Sequence, residues 1–309
     1  MVGARCRTQS AIDRRVARID GSRGEESGQG RVCRSGEREV ARASGRMMER
    51  ERLYRTEALI LHRTEFGEAD RLLHVFTPHL GRLRLLAKGV RKVSSRKAGH
   101  VELFTHVNLL VARGSTLDIV SQAEVLEPFR QLHEDLERAS MAYYVGELVI
   151  RFTEEQDANA PLFYLTRSTF ERLCTARDPL LALRFFELHA LGLTGYRPQL
   201  YFCVACQKRL ELVPSYFSPS MGGVLCPRHK GQVESMAPLT LPAFKVLRYM
   251  QTEPWEQVAT LRLSAQIHLE LESHLRDFIV HVLERQLKSV EFIRRLRREQ
   301  WVNAFEHRS

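Results

Sequence analysis

At Pro128 the hydrophobic repeat of this sequence changes from two residues to between three and four, and that change decides its fold class. Strand side chains alternate between two faces, whereas helical neighbours recur every 3–4 positions, so one stretch cannot serve as both. The chain is therefore expected to fold as a β-rich part followed by a helical part, an α+β arrangement.

Upstream of Pro128 five strand-like runs follow one another. LYRTEALILHR begins at Leu53, and a turn signal follows at Phe66–Gly67–Glu68. DRLLHVFT and RLRLLAKG come next, separated by a turn at Pro78 to Gly81. After the basic loop GVRKVSSRKAG come FTHVNLLVAR and STLDIVSQAEVL, with a hairpin-type break at Gly114–Ser115. Five short strands in so few residues predict a small closed barrel, and an OB-fold is the compact option. Downstream, QLHEDLERASMAYYVGELVIRFTE reads as one helix with Leu132, Leu136, Ala139, Tyr143, Gly146, Leu148 and Val149 near a buried stripe. PLFYLTRSTFERLCTA and DPLLALRFFELHALGLTGY continue the pattern, with Asp178–Pro179 as a helix start and Gly192 and Gly195 as a stop. Periodicity is lost from Pro198 to about Val233 and resumes at LTLPAFKVLRYMQ and ESHLRDFIVHVLERQLKSVEFIRRLRREQ.

Three segments result. Residues 1–50 are rich in Arg, Gly, Ser and Glu without apolar periodicity, and read as a disordered tail or a mis-assigned start near Met47–Met48. Residues 51–130 form the barrel, and residues 131–309 the helical domain with a cysteine-bearing module at 200–232.

That module holds the most specific motif. Cys203-Val-Ala-Cys206 and Cys226-Pro-Arg-His229 are two knuckles separated by nineteen residues. A two-residue spacer lets both ligands of a knuckle reach one ion, and thiolate with imidazole suits tetrahedral Zn²⁺. One structural zinc per chain is expected, held by Cys203, Cys206, Cys226 and His229, with no position open for water. A redox CxxC is the alternative, but no βαβ pattern surrounds it. Cys6, Cys33 and Cys174 are scattered, so the chain does not read as a secreted disulfide scaffold.

A formal net charge of +10 favours a polyanionic partner. Cations gather on the third strand and its loop: Arg82, Arg84, Lys88, Arg91, Lys92, Arg96 and Lys97, with Arg71 nearby. Such a cluster beside a small barrel suits a phosphate backbone and is the candidate DNA-binding surface. Phe66, Phe76 and Phe104 read as core residues rather than stacking platforms. Arg294, Arg295, Arg297 and Arg298 crowd the last helix, where they complement its dipole or offer a second DNA contact. No P-loop, GxSxG elbow or HExxH is present, and Glu65, Glu68 and Asp70 read as a polar turn rather than a Mg²⁺ cluster, so no enzyme is expected. No apolar run approaches the roughly 18 residues of a membrane span, and no secretory signal is visible, which predicts a cytoplasmic setting.

TEALILHRTEFGEADRLLHVFT, GRLRLLAKGVRKVSSRKAGHVELF, YFSPSMGGVLCPRH and QLKSVEFI together resemble the RecO family of recombination mediators, over about Leu53 to Arg298. The resemblance implies an N-terminal OB domain, a helical domain and often a zinc module. It implies binding of single- and double-stranded DNA and annealing of complementary strands. It also implies work with RecR, and with RecF, to load RecA onto DNA covered by single-strand DNA-binding protein, in the nucleoid. Two departures stand out: His229 takes a place where metal-bearing relatives usually have Cys, and residues 1–50 have no counterpart. A zinc-containing RNA-binding protein of similar small-barrel architecture is the alternative reading.

Overall fold

The computed structural model describes residues 52–92, 95, 98–233 and 235–283. The expectations for residues 1–50, for Arg96 and Lys97, and for Arg294, Arg295, Arg297 and Arg298 lie outside the described residues.

Five strands, β1 (Leu53–Phe66), β2 (Asp70–Thr77), β3 (Gly81–Ala87), β4 (His106–Ala112) and β5 (Asp118–Glu127), close a barrel in the order β1-β2-β3-β5-β4. Strand β1 serves two neighbours in turn: Leu53–Leu59 pairs with β4, and Leu59–Phe66 with β2. An irregularity between Ile60 and His62 marks the change, where a bulge bends the strand around the barrel. The closing contact is short, with parallel β3 and β5 paired only at Leu85–Asp118 and Leu86–Ile119.

The interior is filled by Ala58, Ile60, Leu73, Val75, Leu85, Val107, Leu109, Val111 and Val120. Leu59, Leu61 and Phe76 point the other way and join the helical core, so the ALIL run of β1 is buried on both faces and does not alternate. Gly81 has φ +66°, and a Cβ there would fall 2.2 Å from the Asp157 carbonyl oxygen, so no side chain fits where the helical part crosses the β2–β3 turn.

Helices α1 (Gln131–Glu134), α2 (Leu136–Phe152), α3 (Ala160–Thr175), α4 (Pro179–Leu193), α5 (Leu241–Thr252), α6 (Trp255–Val258) and α7 (Ala265–Leu283) follow. Side-chain caps start four of them: Asp135, Asn159, Asp178 and Thr240 each accept from an N–H of the first turn. Helix α4 is the centre, with Leu181 through Leu188 all buried. Its Arg184 and Glu187 form an ion pair at 2.9 Å inside the core. Phe163 of α3 packs on Phe76 of β2, which ties barrel to helices. No helix among the described residues is long and apolar enough to cross a membrane.

Two expectations needed correction. The helix expected from Gln131 is broken at Asp135, whose extended backbone caps a fresh start. The phase of α2 is set from there, so Met141, Ala142, Tyr144, Val145, Leu148 and Val149 face inward while Leu136 is 62% and Tyr143 43% exposed. The aperiodic block contains β6 (Ser215–Ser218) and β7 (Gly223–Leu225), which pair with β8 (Ala237–Leu239) in the order β7-β6-β8. Strands of three or four residues are too short to display alternation.

Candidate metal centre and nucleic-acid interface

The two knuckles meet. One ligand atom each from Cys203, Cys206, Cys226 and His229 lies within 4.8 Å of all the others. His229 Nδ1 is 3.5 Å from Cys203 Sγ and 3.2 Å from Cys226 Sγ. Bonds of about 2.3 Å to sulfur and about 2.0 Å to nitrogen in a tetrahedron place those atoms roughly 3.6 Å apart, so the donor set fits a tetrahedral ion.

Local backbone geometry explains the convergence. Gln207, at φ +59°, turns the first knuckle so that the Lys208 carbonyl accepts the Cys203 N–H at 2.8 Å. Pro227–His229 makes a 3₁₀ turn that brings His229 back beside Cys226. The halves are joined because Gln199 and Val224 bond across, with the Val224 N–H donating to the Gln199 carbonyl at 2.9 Å. Gly223 has no room for a Cβ there, which would sit 2.3 Å from that oxygen.

Thiol electrostatics point the same way. Burial raises the Cys203 thiol, but backbone N–H groups of Cys206, Cys226 and Ala205 outweigh it and bring it down to about 6. Burial pushes the Cys226 thiol up, and the adjacent Cys203 and Cys206 sulfurs add to that push. Sulfurs this close cannot all ionise cheaply unless a cation lies among them.

The expected DNA cations fall into two groups. Arg82 and Arg84 do share one side of β3, but the α2–α3 linker lies along that strand. Arg82 donates to the Thr153 carbonyl at 3.1 Å and accepts the Gln156 N–H at its own carbonyl at 3.0 Å. The Arg84 guanidinium pairs with Glu155 at 2.8 Å. Arg91 is 3.3 Å from Glu65, and Arg71 and Arg63 share Glu102. Lys88 and Lys92 are exposed.

Carboxylates of the β1–β2 turn are thus used to tie loops. Asp70 accepts the Gly89 N–H at 2.7 Å, and Glu65 faces Arg91. Among the described residues, the Cys and His group is the one cluster of potential metal ligands. Phe76 and Phe104 are buried, while Phe66 is 47% exposed at the end of β1.

Sequence reasoning missed the histidines beside these cations. His74 stands opposite Arg84 on one side and His62 on the other, with the two imidazole rings 5.4 Å apart. Burial lowers the His74 pKa, and His62, Arg82 and Arg84 lower it further, against Glu155. Burial comes first in that shift, and the arginines outweigh Glu155 in their effect on this imidazole.

Comparison with known proteins agrees with this architecture. Residues 48–129 match the family model described as Recombination protein O N terminal, and residues 133–291 the one described as Recombination protein O C terminal. The DNA repair protein RecO of Roseiflexus sp. (strain RS-1) is 47% identical over 244 residues, covering 79% of this chain and 86% of that protein. RecO of Dehalococcoides mccartyi is 36% identical over 244 residues, 79% and 96% of the two chains. RecO of Symbiobacterium thermophilum is 35% identical over 250 residues, 79% and 98%. With both halves of the described fold matched and these relatives covered over most of their length, the chain belongs to the RecO family of DNA repair proteins.

Proposed function

We propose that the chain is a non-enzymatic DNA-binding mediator of recombinational repair. It binds single- and double-stranded DNA, anneals complementary strands, and helps load RecA, with RecR and RecF, on DNA covered by single-strand DNA-binding protein. It works in the cytoplasm, at the nucleoid. The observation that carries the reading is the gathering of cations on β3 and the loop after it, where Arg82 and Arg84 share the side of the strand that faces His74 and Lys88 and Lys92 are exposed. Lys92, Arg91, Arg96 and Lys97 extend the DNA surface along the loop after β3. Phosphate contacts of this kind position a strand without reading its bases, so binding is indifferent to sequence.

Zinc is the metal of the Cys203, Cys206, Cys226 and His229 site, in a structural role. Four protein ligands fill a tetrahedron and leave no coordination position for water or substrate. The protein's own residues fold the two knuckles, and the ion joins them.

Filter binding tests the nucleic-acid reading. Single-stranded DNA is expected to be retained more tightly than structured RNA of equal length, and DNA incubated with protein and Mg²⁺ is expected to stay intact. Preference for RNA would replace this reading with that of a zinc-containing RNA-binding protein. Cleavage would make Glu65, Glu68 and Asp70 the first residues to test.

A further inference from the structure

A cavity of about 800 Å³ opens at the end of the barrel that carries the β2–β3 turn and the β4–β5 loop. Two gaps in the strand ladder create it. Tyr54 through Glu57 have β4 on one side but no β2 neighbour on the other, because β1 meets β2 only from Leu59 onward. Gly81 through Arg84 have no β5 neighbour, because that pairing is confined to Leu85 and Leu86. The volume lies within the roughly 300–1,000 Å³ typical of small-ligand pockets.

Its walls have a consistent chemistry. The Tyr54 ring, Leu80 and Leu83 supply the apolar surface, and Arg55, Asn108 and Arg113 the polar one. The Tyr54 hydroxyl donates to Asp118 at 2.7 Å, and Asp118 also accepts the Gly114 N–H at 3.1 Å, so the ring is held in place. The Arg113 guanidinium lies 5.7 Å from the ring centroid. Glu57 is engaged by His106 at 2.9 Å. Both carboxylates of the lining are tied to protein donors, and the two arginines balance their charge. An aromatic ring and aliphatic side chains in one lining, with guanidinium groups and an amide beside them, suit a flat heterocycle joined to phosphates.

We propose that this cavity is a nucleobase subsite on the single-stranded DNA path. One unpaired base stacks on Tyr54 between Leu80 and Leu83, and Arg55 and Arg113 hold the flanking phosphates. The subsite rests on the DNA-binding reading above and deepens it. Leu83 faces the cavity from the side of β3 opposite Arg82 and Arg84, and Gln156, whose N–H donates to the Arg82 carbonyl, also lines it, so the DNA strand would pass around the edge of β3 from one surface to the other. Duplex DNA keeps its bases stacked and paired, so this cavity distinguishes single strands from double.

The test compares an oligo-dT with an oligonucleotide of equal length and charge built from abasic spacers, using the full chain. Base–aromatic stacking is worth about 5- to 150-fold in affinity per base, so the natural oligonucleotide is expected to bind at least about 5-fold more tightly. Tyr54→Leu should remove most of that difference and leave duplex affinity and the salt dependence unchanged. Tyr54→Phe, which keeps the ring, should retain the difference and controls for folding. Equal binding of the two oligonucleotides by the parent, or an undiminished difference in Tyr54→Leu, overturns the subsite alone. Failure to bind any DNA overturns the DNA reading and the subsite with it.

Discussion

Replacing Cys226 by Ser, or stripping the metal with a chelator, is expected to loosen a small and defined part of the chain. The module is anchored by Leu200, Leu210, Phe217, Val224, Leu225 and Leu239, each no more than 5% exposed and all in one core with Phe244 and Phe278. Each such side chain contributes about 1.5–3 kcal/mol by burial, with or without an ion. The knuckles themselves are different: Ala205, Gln207, Lys208, Pro227, Arg228 and Lys230 are exposed, so beyond the buried Cys203 and their backbone hydrogen bonds they have little apolar packing, and an ion that joins them would add most of their remaining order. Losing outer-shell partners of a metal site typically costs about 10- to 100-fold in affinity, so losing a direct ligand should cost at least about 100-fold. Complete loss of the ion, at a free concentration of about 1,000 Kd in the parent, removes about 4 kcal/mol of stability. Metal analysis should show about one zinc per parent chain. Proteolysis mapped by mass spectrometry should then show cuts confined to residues 203–209 and 226–232 in the variant, with β6, β7, β8 and α5 resistant. Zinc-free parent protein from zinc-replete medium would refute the site. Equally early cutting inside Leu241–Thr252 would refute the division between metal-ordered knuckles and core-ordered sheet.

Three other perturbations have worked expectations. Replacing Lys88 and Lys92 together by Ala should flatten the log–log salt dependence of single-strand binding by about 1.4, at roughly 0.7 per phosphate contact, and an unchanged slope would move the DNA path elsewhere. Glu155→Gln should tighten DNA binding roughly 1.5- to 5-fold at low salt, the fold-change equivalent of an exposed ion pair, because Arg84 is released to a phosphate; weaker binding in a filter assay would contradict this. Asp178→Ala should cost about 1 kcal/mol in urea denaturation at neutral pH by removing the cap of α4. Burial raises the Asp178 carboxyl, but the His268 hydrogen bond and the Leu181 N–H outweigh it and hold the group below its ordinary value. A depressed folded pKa stabilises above the unfolded value, about 3.9, and that contribution disappears as pH falls through the folded one. The gap between parent and variant should therefore shrink in acid, and a gap that widens would contradict the sign.

What could be read from the sequence depended on how local each signal was. The strand pattern before Pro128 and the helix start at Asp178 are carried by neighbouring residues, and the barrel and that cap follow from them. The Cys and His cluster that could hold an ion was legible because each knuckle is a four-residue motif, leaving only the pairing of knuckles to the fold. The surroundings of the arginines were not legible. Arg82 bonds to Thr153, 71 residues away, and no local pattern announces that a helix linker will run along β3. Tyr54 and Arg113 come together for a similar reason, because the β1–β4 ladder that pairs Leu53 with Ala112 sets them side by side although they are far apart in sequence. Leu136 and Tyr143 were placed on the wrong face because one aspartate at position 135 restarts the helix and resets its phase.

Annealing of complementary oligonucleotides coated with single-strand DNA-binding protein, with no nucleotide or Mg²⁺ added, tests the mediator reading most directly. The parent chain should accelerate annealing over the coated strands alone, and added salt should suppress the acceleration as phosphate contacts are screened. A chain that binds the bare strands but leaves the annealing rate of the coated ones unchanged would contradict it.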